Sequence, residues 1–259
     1  MFLRTLTVQS AWNYEVMLGT GIGFCTEPAL RSLPEGPGQT AYREALARQS
    51  RYFNAHPYLA SLAVGALARA ELDGEPPAQI ERFRAALCGP LGSIGDRLVW
   101  AGWLPFCSLL SLTAFGLGAG ATATMLLFLV VYNIGHFGLR AWGLREGWRY
   151  GMRVATALNH PVLRQGPEVI TWGVALLAGF SIPLTLNRLV GSEMLGRRAG
   201  VLEPPFVHGR AADIFDPLTV LILSAAVLLA ALLVRLHGRV EGWRVAVYVL
   251  LALALYSVA

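Results

Sequence analysis

The chain of 259 residues contains no lysine; all twenty-one basic residues are arginine. It is also poor in charge of either sign, with 14% Asp, Glu, Lys and Arg against about 25% in an ordinary soluble domain. Hydrophobic residues make up 55% and the mean hydropathy is +0.51. The arginines are scattered, not interleaved with aromatics in a polar domain, which excludes a nucleic-acid-binding surface. There are only three cysteines, Cys25, Cys88 and Cys107. Their odd number and spacing match no disulfide framework, zinc motif or redox motif, and they read as small buried hydrophobes. Polar residues Gln9, Asn13 and Glu15 interrupt the N-terminal apolar stretch, so no cleavable signal peptide is expected there.

What the chain has instead is length without charge. From Leu98 to Leu139, forty-two consecutive residues contain no Asp, Glu, Lys or Arg. The run is broken only by the glycine-rich Gly116-Leu117-Gly118-Ala119-Gly120. Two spans of about 20 residues, each enough to cross a hydrocarbon core of about 30 Å, fit here with a turn between them. Further apolar stretches cover 169–187, 217–234 and 245–259, with Pro183 expected to kink the first of these. The expected fold is therefore an all-α integral membrane protein with about five transmembrane spans. The arginine-rich loops 140–164 and 235–244 set the orientation, with the N-terminus inside and the C-terminus outside.

Ahead of the spans, residues 2–24 read as an interfacial amphipathic helix with Trp12 and Tyr14 at headgroup level. Residues 28–38 read as a turn and 40–53 as a surface helix. Residues 58–68 are apolar but too short to cross, and predict a re-entrant or buried segment. Gly89 to Asp96, with glycines every third residue, reads as an unwound re-entrant loop. It is no phosphate-binding loop, since no lysine and no strand pattern accompany it. The chain is divided into an N-terminal interfacial and re-entrant region, 1–97, and a transmembrane region, 98–259.

Polar groups at membrane depth are costly and tend to be functional. Asn54 and His56 sit where a polar helix meets the short apolar segment. They offer the neutral donors and acceptors that sugar hydroxyls accept, or else Asn54 caps a helix that Pro57 ends. Glu71 pairs with Arg69, accepts hydrogen bonds from a polyol, or is a solvated loop acid. Asp96 is an acceptor or a helix cap. Asn133 needs a partner inside the bundle, and His136 is either a polar group with a role at membrane depth or an interfacial histidine without a task. No carboxylate pair, nucleophile–base set or ligand spacing is present, so no catalytic residue, metal or cofactor is assigned.

Four motifs in order carry a family resemblance: Ser10-Ala11-Trp12-Asn13-Tyr14-Glu15 with Gly23-Phe24 and Pro28-Ala29-Leu30; Tyr52-Phe53-Asn54-Ala55-His56-Pro57 with Gly65 and Glu71; Gly89-Pro90-Leu91-Gly92-Ser93-Ile94-Gly95-Asp96 with Trp100 and Pro105; and Asn133, Arg140, Gly143, Gly147 and Gly151. Over roughly residues 5–180 the chain resembles the IID membrane subunit of the mannose/fructose/sorbose-family phosphotransferase system. The resemblance implies a hexose permease of the bacterial inner membrane, built as a hetero-oligomer with a IIC subunit and surrounded by lipid. It also implies IIA/IIB phosphocarrier domains that carry the phosphoryl transfer, so that this subunit is not itself an enzyme. The chain departs from the family's pattern at Ala55, Leu72, Arg97 and Leu104, where the family favours Thr, a second acid, Pro and a basic residue. Those departures leave open a regulatory or sensing component that has lost transport.

Overall fold

The computed structural model describes residues 1–34, 36–154 and 158–199, with isolated positions 225, 226 and 229. The described residues are helical, with isolated bridges and no named strand. In chain order they form α1 (Phe2–Thr5), α2 (Gly19–Leu30), α3 (Thr40–Gln49), α4 (Ala60–Leu72) and α5 (Pro77–Gly95). A π-helical segment, Asp96–Trp103, leads into α6 (Leu104–Gly116), followed by α7 (Ala121–Tyr150). A 3-10 turn, α8 (Pro161–Arg164) and α9 (Gly166–Ala199) complete the described chain. Two compact units are distinguishable. One comprises residues 1–104 and 131–168, the other 105–130 and 169 onward.

Three helical stretches are long and apolar enough to cross a membrane by length and composition: Pro77–Gly116, Ala121–Arg153 and Gly166–Leu186. The uncharged hairpin is thus present, with Gly118 at φ 112° in the turn, a conformation open to glycine but strained for other residues. Its first arm begins twenty-one residues earlier than composition implied, at Pro77 rather than Leu98. The expected span 245–259 lies outside the described residues, and so does 217–234 apart from the isolated helical positions 225, 226 and 229. Along α7, Met125, Leu126, Leu129, Ile134 and Phe137 are exposed, as lipid-facing or partner-facing side chains are in an isolated chain.

The N-terminal stretch corrects the single-helix reading of 2–24. The Asn13 side chain accepts hydrogen bonds from the backbone N–H groups of Glu15 and Val16. Such a local turn competes with helix formation. Met17 then takes a positive φ of 52°, and Leu18 donates its N–H to the Phe53 carbonyl. Only at Gly19 does α2 begin. Pro28 does not start a turn, as expected, but lies inside α2. A proline there strips the carbonyl four residues back of its helical donor. That carbonyl, Phe24 O, instead accepts from Arg4 Nη1 at 2.8 Å. Arg4 also pairs with Glu27, which Arg31 and Tyr42 reach as well. Burial pushes the Glu27 carboxyl upward, but the hydrogen bonds from Arg31, Tyr42 and Arg4 outweigh it and hold the group below the ordinary carboxylate range.

The core of the first unit is α4. Residues 60–68 are all buried, as expected of a helix apolar around its whole circumference. Helix α7 approaches it so closely that Gly65 faces the Leu144 carbonyl and Gly147 faces the Leu62 carbonyl. Small residues permit such backbone proximity between apolar helices. The eleven-residue apolar segment is therefore a buried helix, the second of the two possibilities its length allowed.

The glycine-spaced stretch 89–96 is also corrected. It is not an unwound loop: Gly89, Gly92 and Gly95 belong to α5, and Asp96 opens the π-helical segment without a side-chain cap bond. Glycines at i, i+3 and i+6 share one helical face. Here the Gly92–Gly95 end of that face lies against the extended residues 54–57, while Gly89 faces open space. A Cβ on Gly95 would meet His56 Cβ at 2.2 Å, and one on Gly92 would lie 4.0 Å from Ala55 Cα.

In the second unit, Arg188 of α9 donates to the carbonyls of Phe115 and Ala119. Its guanidinium lies 4.0 Å from the Phe115 ring centre. It thereby reaches one carbonyl in the last turn of α6 and one in the glycine-rich turn that follows it.

Candidate functional site

Helix α3 ends at Gln49, and the chain runs extended to Pro57 before α4 begins. The flat glycine face of α5 lets this extended segment lie close, and a cleft of about 410 Å³ opens between them. Its polar walls are Tyr52, Asn54 and His56 on one side and Ser93 and Asp96 on the other. Asn54 and Asp96 are exposed, whereas His56 is 1% exposed. Three of the five residues expected to bind substrate are thus brought to one cleft.

The imidazole of His56 has a defined polarity. Its Nδ1 accepts the Tyr58 backbone N–H at 3.2 Å, so the ring proton of the neutral form sits on Nε2. That Nε2 is buried and has no hydrogen-bond partner. An unsatisfied buried donor costs about 1–3 kcal/mol, which a ligand oxygen would recover. Asn54 offers both donor and acceptor, and Asp96 two acceptor oxygens. Neutral amide, imidazole donor and carboxylate acceptor form a set for hydroxyl groups.

Burial, reinforced by the positive charge of Arg140, lowers the His56 pKa from its ordinary 6.5 to about 4. Above pH 6.5 the folded and unfolded chains both carry neutral His56. As the pH falls from 6.5 toward 4, the unfolded chain takes up a proton that the folded chain refuses. Stability is therefore lost across that window, by about 3 kcal/mol when complete. Thermal unfolding between pH 7 and 4.5 should show a steeper loss in the parent protein than in a His56→Gln variant. Identical profiles would remove His56 as the cause.

Behind His56 stands an aromatic and cationic cluster that composition did not reveal. The His56 ring meets Tyr58 and Trp100 edge-on at centroid distances of 5.1 and 5.3 Å. Tyr58 shares a 2.6 Å hydrogen bond with the Tyr132 hydroxyl. Arg140, 2% exposed, lies over the Tyr58 ring at 4.7 Å. It donates to His136 Nε2 at 2.9 Å and to the Thr5 carbonyl. His136 thus has a task, as acceptor for the guanidinium one turn along α7. The i, i+4 spacing of His136 and Arg140 was the available signal.

The remaining two expected residues lie elsewhere. Glu71 is neither a solvated acid nor a partner of Arg69, which pairs with Asp73. It is buried in α4, accepts both Arg48 Nε and Nη2, at 2.9 and 2.6 Å, and accepts Gln49 Nε2 at 2.7 Å. Its carboxylate ties α3 to α4 and does not line the cleft. Asn133 is half-buried on α7, next to Tyr132, and is not a cleft residue either.

Long apolar helices, with a polar cleft set against a glycine-bearing helix, define the class as a helical membrane protein. Residues 1–255 match the family described as the mannose/fructose/sorbose family IID component of the phosphotransferase system. The chain belongs to that family. It is 26% identical over 197 residues to the mannose-specific EIID component of Escherichia coli K12, covering 73% of this chain and 66% of that protein. It is 30% identical over 209 residues to the fructose permease IID component of Bacillus subtilis, covering 73% and 72%. The match to the E. coli relative therefore spans just under two thirds of that protein's length. Among solved structures, a membrane protein aligns with a TM-score of 0.61 at 19% identity, covering 99% of this chain and 94% of that one. The mannose transporter ManYZ in complex with microcin E492 aligns at 0.54 and 20% identity, covering 100% and 94%. Family and fold together make this a multi-pass protein of the bacterial inner membrane.

Proposed function

We propose that the chain is the IID subunit of a mannose-class hexose permease, working as a hetero-oligomer with a IIC subunit to form the sugar pathway. Phosphoryl transfer belongs to partner IIA/IIB domains, and this subunit contributes binding groups but no nucleophile. The cleft between residues 52–57 and α5 supplies hydroxyl contacts through Asn54, His56 and Asp96. The observation that carries this reading is the buried, unsatisfied Nε2–H of His56, a residue lining a cleft that the exposed Asn54 and Asp96 also line. Glu71 acts at one remove, by holding α3 and hence the start of the extended segment. Asn133 contributes through the interior of the bundle around α7.

The test is hexose binding by the chain co-purified with its IIC partner. Removing the Asn54 amide should leave a sugar hydroxyl without its partner, at about 1–3 kcal/mol. Asn54→Ala is therefore expected to weaken binding roughly 5- to 100-fold with assembly intact. Asp96→Asn should weaken it too, because an amide cannot replace both acceptor oxygens. Unchanged affinity in both variants would move the sugar away from this cleft.

A further inference from the structure

Next to the hydroxyl-type cleft lies a second, of about 250 Å³, lined chiefly by Arg48, Arg51, Tyr52, Glu81 and Arg84. Tyr52 and Cys88 belong to both walls. The two differ sharply in charge. The first has Asp96 as its only charged lining residue, whereas the second sets three guanidinium groups against one carboxylate.

The three arginines are not equally committed. Arg48 is held by Glu71. Arg84 is 4% exposed, yet its two terminal nitrogens donate only to the neutral carbonyls of Gln49, Arg51 and Tyr52. Those carbonyls satisfy hydrogen-bonding capacity without cancelling the charge. The remaining donor, Arg84 Nε–H, is buried and has no partner. Arg51 pairs with Glu81 at 2.5 Å, but the two side chains are 66% and 44% exposed. An ion pair so open to solvent contributes about 0–1 kcal/mol and yields to a competing anion. A buried unneutralised guanidinium, an orphan donor and a second guanidinium loosely held at the rim form a receptor for an oxyanion such as phosphate, whose oxygens match the guanidinium fork.

The geometry points to this cleft as a site for a phosphate group, carried either by a phosphorylated hexose or by an anionic lipid headgroup. The site stands without the sugar-cleft reading. Only its soluble source draws on that reading, because a phosphohexose could reach from one cleft into the other across Tyr52.

Calorimetric titration of the full chain with its membrane partner, in a maltoside detergent, tests this with inorganic phosphate and hexose 6-phosphate. Saturable binding that weakens with added salt is expected. Glu81→Gln removes the carboxylate that competes for Arg51 and should tighten binding about 3- to 10-fold. Arg51→Gln should weaken it by a similar factor. A gain in the first variant is not what a purely structural ion pair would produce. Binding of unphosphorylated hexose should be unmoved in both, so a failed sugar cleft and a failed phosphate cleft give different results. Repeating the titration in nanodiscs of phosphatidylcholine and of phosphatidylglycerol separates the sources. Phosphate binding lost only with the anionic lipid identifies a headgroup occupant, and binding kept in both identifies a soluble one. No saturable binding in detergent, or no tightening in Glu81→Gln, overturns the proposal.

Discussion

Replacing Gly147 with alanine is expected to destabilise the chain by roughly 3 kcal/mol or more, at or beyond the upper end of ordinary overpacking. The new Cβ would stand 2.1 Å from the Leu62 carbonyl oxygen and 2.9 Å from the Ala66 nitrogen. Both obstacles are backbone, so no rotamer change relieves the overlap. Helices α4 and α7 must separate instead. The reciprocal glycine, Gly65, meets Leu144 O at 2.4 Å and would fail for the same reason. Gly138 on the same helix has nothing within 4 Å. There alanine should be neutral or stabilising by up to about 1 kcal/mol, through helix propensity alone. Melting temperatures and the monodisperse fraction of the three variants in detergent check the contrast. Equal behaviour of Gly147→Ala and Gly138→Ala would show that the α4–α7 approach is looser than described.

Removing the Glu71 carboxylate, as in Glu71→Ala, should cost about 3–5 kcal/mol, the range for breaking a buried ion pair from one side. Arg48, with a side chain 11% exposed, would lose both of its acceptors. Gln49 is fully buried, already holds an unpartnered Oε1, and would then lose its Nε2 acceptor too. Glu71→Gln keeps a hydrogen-bonding group in place and should fall between. The outward pair Arg69–Asp73 is 45% and 43% exposed. Its removal by Asp73→Asn should move stability by no more than about 1 kcal/mol. Chemical or thermal unfolding of Glu71→Ala and Asp73→Asn together decides the matter. A Glu71→Ala variant as stable as Asp73→Asn would mean that Arg48 finds water when its partner is gone. Sugar affinity in the folded fraction should also decline, because α3 positions the segment that carries Asn54 and His56.

The membrane class, the helical fold and the hairpin around the Gly116–Gly120 turn were all legible in the sequence. A charge-free run of forty-two residues has few other physical outcomes, since a bilayer excludes charge and demands internally bonded backbone. The family was legible too, because ordered motifs are more specific than composition. The cleft was partly legible. Asn54, His56 and Asp96 were singled out as polar groups bordering apolar segments, which is a local property. Glu71 was misplaced because its partners, Arg48 and Gln49, lie more than twenty residues away on another helix. Nothing local separates a buried carboxylate from an exposed one when a nearer arginine, Arg69, offers an alternative.

The stretch 89–96 shows most clearly what sequence alone determined and what required the tertiary structure. The sequence determined that this stretch would lack side chains at every third position. In isolation, three glycines and a proline favour unwinding, because glycine costs a helix about 1 kcal/mol each relative to alanine. Tertiary packing reverses that outcome. The missing Cβ of Gly95 lets His56 lie against α5, since any side chain there would strike it. The same contact buries His56, leaves its Nε2–H unsatisfied and brings Asp96 to the cleft. Composition set the lipid-compatible helices. Which polar residues met, and which were left without a partner, depended on backbone-to-backbone distances that no local pattern encodes.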